Sequence, residues 1–193
     1  MLAPAFADPV RSSQALFRAV MDAMARPGTI VATGGLARAP QPLGLAAAAV
    51  ALTLFDYETP VWLDPALGQS PEIAGWIRFH TGAPLADDPQ KAAFAIVGDP
   101  PRMPQFEAFS QGSTEYPDRA ATLVLQVERL SENGSFGLSG PGIKASRALS
   151  AAPLPADFAA RMRANRALFP RGLDIIMASG TMLAALPRSV HVA

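Results

Sequence analysis

Between residues 59 and 127 short apolar strands alternate with helical segments, and this order restricts the fold more than any other feature. Residues 59–63 (Thr-Pro-Val-Trp-Leu), 93–97 and 122–127 (Thr-Leu-Val-Leu-Gln-Val) read as strands. Pro60 stands near the start of the first, where a missing N–H is tolerated. Between the first two strands, Ser70-Pro71-Glu72 supplies an N-cap, a first-turn proline and an acidic first turn. It opens a helix that runs to about His80. A short helix is expected at residues 105–109. Strand, helix, strand in this order implies parallel pairing with right-handed crossovers.

The flanking segments extend the pattern. Residues 13–26 form an amphipathic helix with Leu16, Phe17, Val20, Met21 and Met24 on one face. Ser12 or Ser13 can cap its start, and Pro27-Gly28 ends it. Residues 29–33 read as a short strand, and residues 43–55 as an alanine-rich buried helix. The apolar run at 45–55 is far short of the ~20 residues that span a bilayer. Towards the C-terminus, residues 136–139 and 143–148 flank Gly140-Pro141-Gly142, which suggests a tight connection between two strands. Residues 155–167 form an arginine-rich helix. Residues 173–178 and 182–186 flank Ser179-Gly180-Thr181 as a hairpin. The expected fold class is α/β, with one domain over residues 1–193. It has three layers around a mixed sheet, parallel at the front and antiparallel at the back.

Composition removes several functions. Half of the 193 residues are apolar and the formal net charge is zero, so a full core is available and no basic footprint marks nucleic acid. There is no cysteine, which excludes disulfides, thiolate nucleophiles and cysteine metal sites. With His80 and His191 as the two histidines, a histidine-rich metal site is not expected. The N-terminus shows no signal-peptide pattern, because Asp8 and Arg11 interrupt it early. A cytoplasmic protein without a membrane span is the expectation. Lys91 and Lys144 are the two lysines against fourteen arginines, and neither has neighbours that mark a Schiff-base site, so no cofactor is expected.

The chemistry concentrates in Trp76-Ile77-Arg78-Phe79-His80-Thr81-Gly82-Ala83-Pro84. Arg78, His80 and Thr81 are donors within four residues and suit a phosphate or phosphonate oxyanion. The same residues also suit a plain helix end, since Arg and His in a last turn face the negative end of the helix dipole before a glycine cap. Arg119, which Asp118 can orient, is a further candidate for a phosphate. Its alternative is a solvated turn. Asp174 begins an apolar strand and calls for pairing with Arg171 or another arginine. No phosphate-binding P-loop, Gly-x-Ser-x-Gly elbow or His-Glu-x-x-His is present.

An ordered set of segments resembles a known family. They are Leu16-Phe17-Arg18, Met24-Ala25-Arg26-Pro27-Gly28, Thr59-Pro60-Val61-Trp62-Leu63 and Arg78-Phe79-His80-Thr81-Gly82-Ala83-Pro84. They continue with Ala121-Thr122-Leu123-Val124-Leu125-Gln126-Val127, Leu138-Ser139-Gly140-Pro141-Gly142-Ile143, Phe169-Pro170-Arg171-Gly172-Leu173-Asp174 and Leu186-Pro187-Arg188-Ser189-Val190-His191-Val192. Their order and spacing look like the PhnH family, which belongs to the bacterial carbon–phosphorus (C–P) lyase system of phosphonate catabolism. The resemblance implies a fold like the large domain of pyridoxal-phosphate-dependent transferases, without that cofactor. It implies a homodimer that joins the C–P lyase subunits G, I and J, with a functional link to an ATPase-like subunit L. The implied function is support of a transferase, alpha-D-ribose 1-methylphosphonate 5-triphosphate synthase. That enzyme moves a phosphonate to the ribose C1 of ATP with loss of adenine, and its catalytic groups lie on a partner. Within that family the chain is either an assembly subunit or carries its own phosphonate or nucleotide site at Arg78, His80, Thr81 and Arg119. The reading outside the family is an unrelated α/β protein that binds a small anion.

Overall fold

A computed structural model describes residues 8–34 and 36–193. The chain opens with helix α1 (Pro9–Ala25), strand β1 (Val31–Ala32) and helix α2 (Leu45–Leu54). Strand β2 (Val61–Leu63), the short helix α3 (Pro65–Gly68), helix α4 (Pro71–Thr81) and strand β3 (Phe94–Val97) follow. Then come β4 (Thr122–Gln126), β5 (Arg129–Ser139), β6 (Arg147–Ala152) and helix α5 (Phe158–Ala167). The chain closes with β7 (Asp174–Ser179), β8 (Met182–Leu186) and β9 (His191–Val192).

The main sheet has six strands in the order β1-β8-β7-β4-β3-β2. β2, β3, β4 and β7 run parallel, while β8 and β1 join antiparallel at one edge. The mixed sheet is therefore as expected. A second, three-stranded antiparallel sheet, β6-β5-β9, is not. Residues 136–148 do not form the expected tight hairpin. β6 starts at Arg147 and pairs it with Leu138, so residues 140–146 form a longer connection between the strands. Gly140-Pro141-Gly142 spends its conformational freedom elsewhere. Gly142 has φ 79°, and a Cβ there would collide with the Ala25 carbonyl at the end of α1.

Alternation along the parallel strands builds two cores. Val61, Ile96, Val124 and Ile176 point to one face, where α1, α2 and α4 lie. Ala95 and Val97, Leu123 and Leu125, and Ile175 and Met177 point to the other, against α5 and the small sheet. α2 has Ala46 to Ala51 buried without interruption and no polar face, so it can exist only when enclosed. Successive strands β2, β3 and β4 are laid down in one direction. α4 joins the first pair on one face, and Phe106 and Phe109 join the second pair on the other. The two crossings therefore have opposite hands, and uniform right-handed crossing does not hold.

Helix ends follow local chemistry. α1 starts earlier than its hydrophobic pattern suggests, because Asp8 caps it by accepting from the Arg11 N–H at 3.1 Å and Pro9 occupies the first turn. Neither Ser12 nor Ser13 is the cap. Its apolar face also divides. Leu16, Val20 and Ala23 are buried, whereas Phe17 and Met21 are exposed. α4 has the expected Ser70 cap, with the Ile73 N–H donating to Ser70 Oγ at 3.4 Å, and ends at Gly82 with φ 74°. Asp174 pairs with Arg188 rather than Arg171, at 2.6 Å. The same guanidinium donates to the Pro117 carbonyl at 2.6 Å and so ties separate turns together.

Asp64 is a buried carboxylate at the end of β2. One oxygen accepts from the Leu67 N–H at 3.1 Å; the other accepts from the Gly98 and Asp99 N–H groups at 2.8 and 2.9 Å. It thereby caps α3 and fastens the end of β3. Burial pushes its carboxyl above the usual range, against the opposing pull of the three N–H donors. Asp64→Asn retains the shape but sets an NH2 group against backbone donors. It should cost about 1–3 kcal/mol at neutral pH, read from the urea midpoint. Because the folded pKa is raised, the wild type loses stability as pH rises from the unfolded value towards the folded one. The Asn variant should lack that decline, and an unchanged midpoint with an unchanged pH profile would show that Asp64 fastens nothing.

Candidate functional site

The end of α4 holds three of the four residues singled out in the sequence. Thr81 Oγ1 donates to the Ile77 carbonyl at 2.8 Å and accepts from the Ala83 N–H at 3.1 Å, so its hydroxyl proton serves the helix end. The His80 ring packs against Trp76 and Phe79, with centroids 4.8 and 4.9 Å away. Desolvation there lowers its pKa and favours the neutral ring. Arg78 is exposed and has no hydrogen-bond or ion-pair partner among the described residues. Arg119 lies on a separate 3-10 turn (Pro117–Arg119), its guanidinium 4.1 Å from the Tyr116 ring centroid. No described hydrogen bond, ion pair or ring contact joins Arg119 to the α4 end. The structure thus groups Arg78, His80 and Thr81 on one helix terminus, and no described contact joins Arg119 to them.

A concave surface lies at the other end of the sheet. Where β3, β4 and β7 finish and α2 begins, a cavity of about 250 Å³ opens between Gly44, Ala47, Gly98, Gln126, Glu128 and Gly180. This is the carboxyl edge of the parallel strands, where open α/β sheets place ligands. Gly44, at the N-cap of α2, has no side chain to cap the helix. Gln126 performs that role from β4. Its Oε1 accepts from the Gly44 N–H at 2.6 Å, and its Nε2 donates to the Pro42 carbonyl at 3.3 Å. The Ala46 N–H donates to the Gly180 carbonyl at 3.0 Å. Gln126 and the Gly44 and Ala46 N–H groups are thus engaged, and Glu128, exposed at the rim, is the one charged side chain of the lining. Lys91 and Lys144 are both exposed and line no part of it. Among the described residues, no group of three or more His, Asp or Glu side chains is placed to hold a metal ion.

Sequence reading did not single out Gln126, Gly44 or Asp64. Asp64-Pro65 after a strand carries a readable cap signal. A polar residue closing the most apolar strand marks Gln126, but its partner lies 82 positions away and no local pattern reveals it.

Several of the segments that carry the family resemblance meet in space. Gly142 packs on the Ala25 carbonyl, and Gly140 approaches the Ser189 carbonyl. Arg147 donates to the Arg26 carbonyl at 3.4 Å and to Thr29 Oγ1. Residues 24–28, 138–143 and 186–192 thus form one packed joint between α1, the small sheet and the C-terminal strand.

Comparison with known proteins places the chain in a family. The family described as "Bacterial phosphonate metabolism protein (PhnH)" matches residues 4–193. The chain is 45% identical over 188 residues to "Alpha-D-ribose 1-methylphosphonate 5-triphosphate synthase subunit PhnH" of Rhizobium meliloti (strain 1021), covering 97% of this chain and 94% of the relative. It is 36% identical over 81 residues to "Putative C-P lyase subunit protein HtxG" of Stutzerimonas stutzeri, 42% of each. With a match over nearly its full length, the chain belongs to the PhnH family of bacterial phosphonate metabolism proteins.

Proposed function

We propose that this chain is a non-catalytic subunit of an alpha-D-ribose 1-methylphosphonate 5-triphosphate synthase in phosphonate catabolism. In this role it supports transfer of a phosphonate to the ribose C1 of ATP, with loss of adenine, while a partner supplies the catalytic groups. The observation that carries the subunit reading is the 45% identity to a relative of that name across nearly both chains. The supporting role rests on geometry. Thr81, Gln126 and Asp64 each spend their polar atoms on the protein's own backbone, and His80 packs against the rings of Trp76 and Phe79. The proposal extends to a single PhnH-like domain that works in the cytoplasm as a homodimer beside subunits G, I and J, linked to the ATPase-like L. No helix among the described residues is long and apolar enough to cross a membrane. The likeness to the large domain of pyridoxal-phosphate-dependent transferases belongs to the same proposal.

A second reading has its own observation. The guanidinium groups of Arg78 and Arg119 face solvent, and a phosphonate dianion suits such donors. Complementation of a strain lacking this subunit separates the two. The supporting role predicts that Arg78→Ala and His80→Ala still permit growth on methylphosphonate, with an unchanged melt for Arg78→Ala and at most the small loss of ring packing for His80→Ala. If either variant abolishes growth while its melt and its complex remain intact, the second reading holds. A lost contact to a bound dianion would amount to about 1.5–3 kcal/mol, ten- to a hundredfold in affinity.

His80 also gives a pH test. Its folded pKa is below the ordinary value of 6.5, so the unfolded chain binds more protons in the window between the two. The stability tied to the neutral ring is present above that window and is lost as pH falls through it. His80→Phe keeps an aromatic ring and removes the titration. Melts from pH 7.5 to 5 should show the wild type losing stability relative to His80→Phe. Parallel curves would contradict the desolvated, neutral ring.

A further inference from the structure

We infer that the outer face of α1 is the docking surface for an acidic, amphipathic helix of another subunit, an assignment that rests on the subunit reading above. α1 has two apolar stripes. Leu16, Val20 and Ala23 face the core. Val10, Phe17 and Met21 face outward and are 66, 50 and 52% exposed. With Gln14 they recur at spacings of four, three and four residues, the repeat by which one helix meets another. A 17-residue helix is about 25 Å long, enough for this seam to offer several layers to a partner.

The seam borders a groove of about 400 Å³ formed by Ser13, Gln14, Phe17, Arg18 and Thr53, between α1 and α2. Phe17 forms one wall and stands ready as an aromatic anchor of the kind that dominates binding energies. Charge decides what fits. Arg11 pairs with Asp8 at 3.6 Å and Arg26 with Asp22 at 3.0 Å, both within α1 and its cap. Arg18, at the groove itself, has no hydrogen-bond or ion-pair partner among the described residues. The face therefore presents exposed apolar surface and one uncompensated cation. A second copy presenting this same face would bring the same uncompensated cation, with Asp8 and Asp22 already paired within α1 and its cap. An occupant that satisfies the face must instead bring an apolar side chain for the groove and a carboxylate for Arg18.

The experiment co-expresses the full-length chain, tagged, with the other subunits of its own phosphonate system. It measures the affinity of the complex, the mass of the isolated chain in solution and the melt of each variant. Phe17→Ala and Arg18→Glu change exposed side chains and should leave the melt and the mass of the isolated chain unaltered. Each should weaken assembly at least about tenfold. Assembly of both variants with wild-type affinity would overturn the assignment of this surface while leaving the subunit reading intact. So would variants that lower the mass of the isolated chain yet still assemble, since the occupant would then be a second copy. A wild-type chain that captures none of the other subunits would overturn the subunit reading, and this surface with it.

Discussion

Enclosure of α2 is the constraint on which the rest of the structure depends. A helix with Ala46 to Ala51 all buried has no face to give to water. It must have the sheet beneath it and helices on its flanks, and α1 and α4 supply those flanks. Small side chains allow the close approach, so the layer is thin and its packing is intolerant of added volume. The helix also begins without a capping side chain. Gln126 meets that need from β4, which ties the start of α2 to the end of the strand at the centre of the sheet. One consequence is that Gln126, at the cavity of the carboxyl edge, is spent on the start of α2. A second is that α1, used on one side to cover α2, keeps an apolar stripe on its other side.

The polar chemistry of the protein follows the same pattern. Asp64, Gln126, Thr81, Asn165 and Asp174 are each held by groups far away in sequence or by their own helix end. Asn165, for example, accepts from the Leu173 N–H at 2.7 Å and donates to the Leu173 carbonyl at 2.9 Å, and so joins α5 to the entry of β7. Buried groups of this kind hold the elements in place and leave little spare donor capacity inside the molecule. Open donors lie outside, and the guanidinium groups of Arg18, Arg78 and Arg119, without a hydrogen-bond or ion-pair partner among the described residues, are among them.

Local signals make much of this fold legible. The Ser70-Pro71-Glu72 start and Gly82 end of α4 are written in neighbouring residues, as is the β7–β8 hairpin around Gly180. Short apolar runs between turn signals locate β3 and β4 within a residue or so. What escapes a local reading depends on distance. The separate sheet arises because β5 pairs with β9 at the chain end, and because the β5–β6 ladder is interrupted between Ser131 and Phe136. Neither fact has a local trace. The division of the α1 stripe is hidden because 3.6-residue periodicity groups Phe17 with Leu16, while the sheet and α2 cover only the latter. Of the candidate site, the grouping of Arg78, His80 and Thr81 at a helix end is readable from the glycine cap. The engagement of Thr81 and the packing of His80 against Trp76 and Phe79 depend on side-chain rotamers, which residue order alone does not specify.

Release of adenine from ATP in the presence of methylphosphonate is the most direct measurement of the central claim. It should be followed with this chain alone, with the partner subunits alone and with the reconstituted mixture. A supporting subunit predicts adenine release from the mixture, little from the partners alone and none from this chain. Adenine release by this chain in isolation, at a rate that rises with methylphosphonate, would contradict the account and move the reacting groups onto this protein.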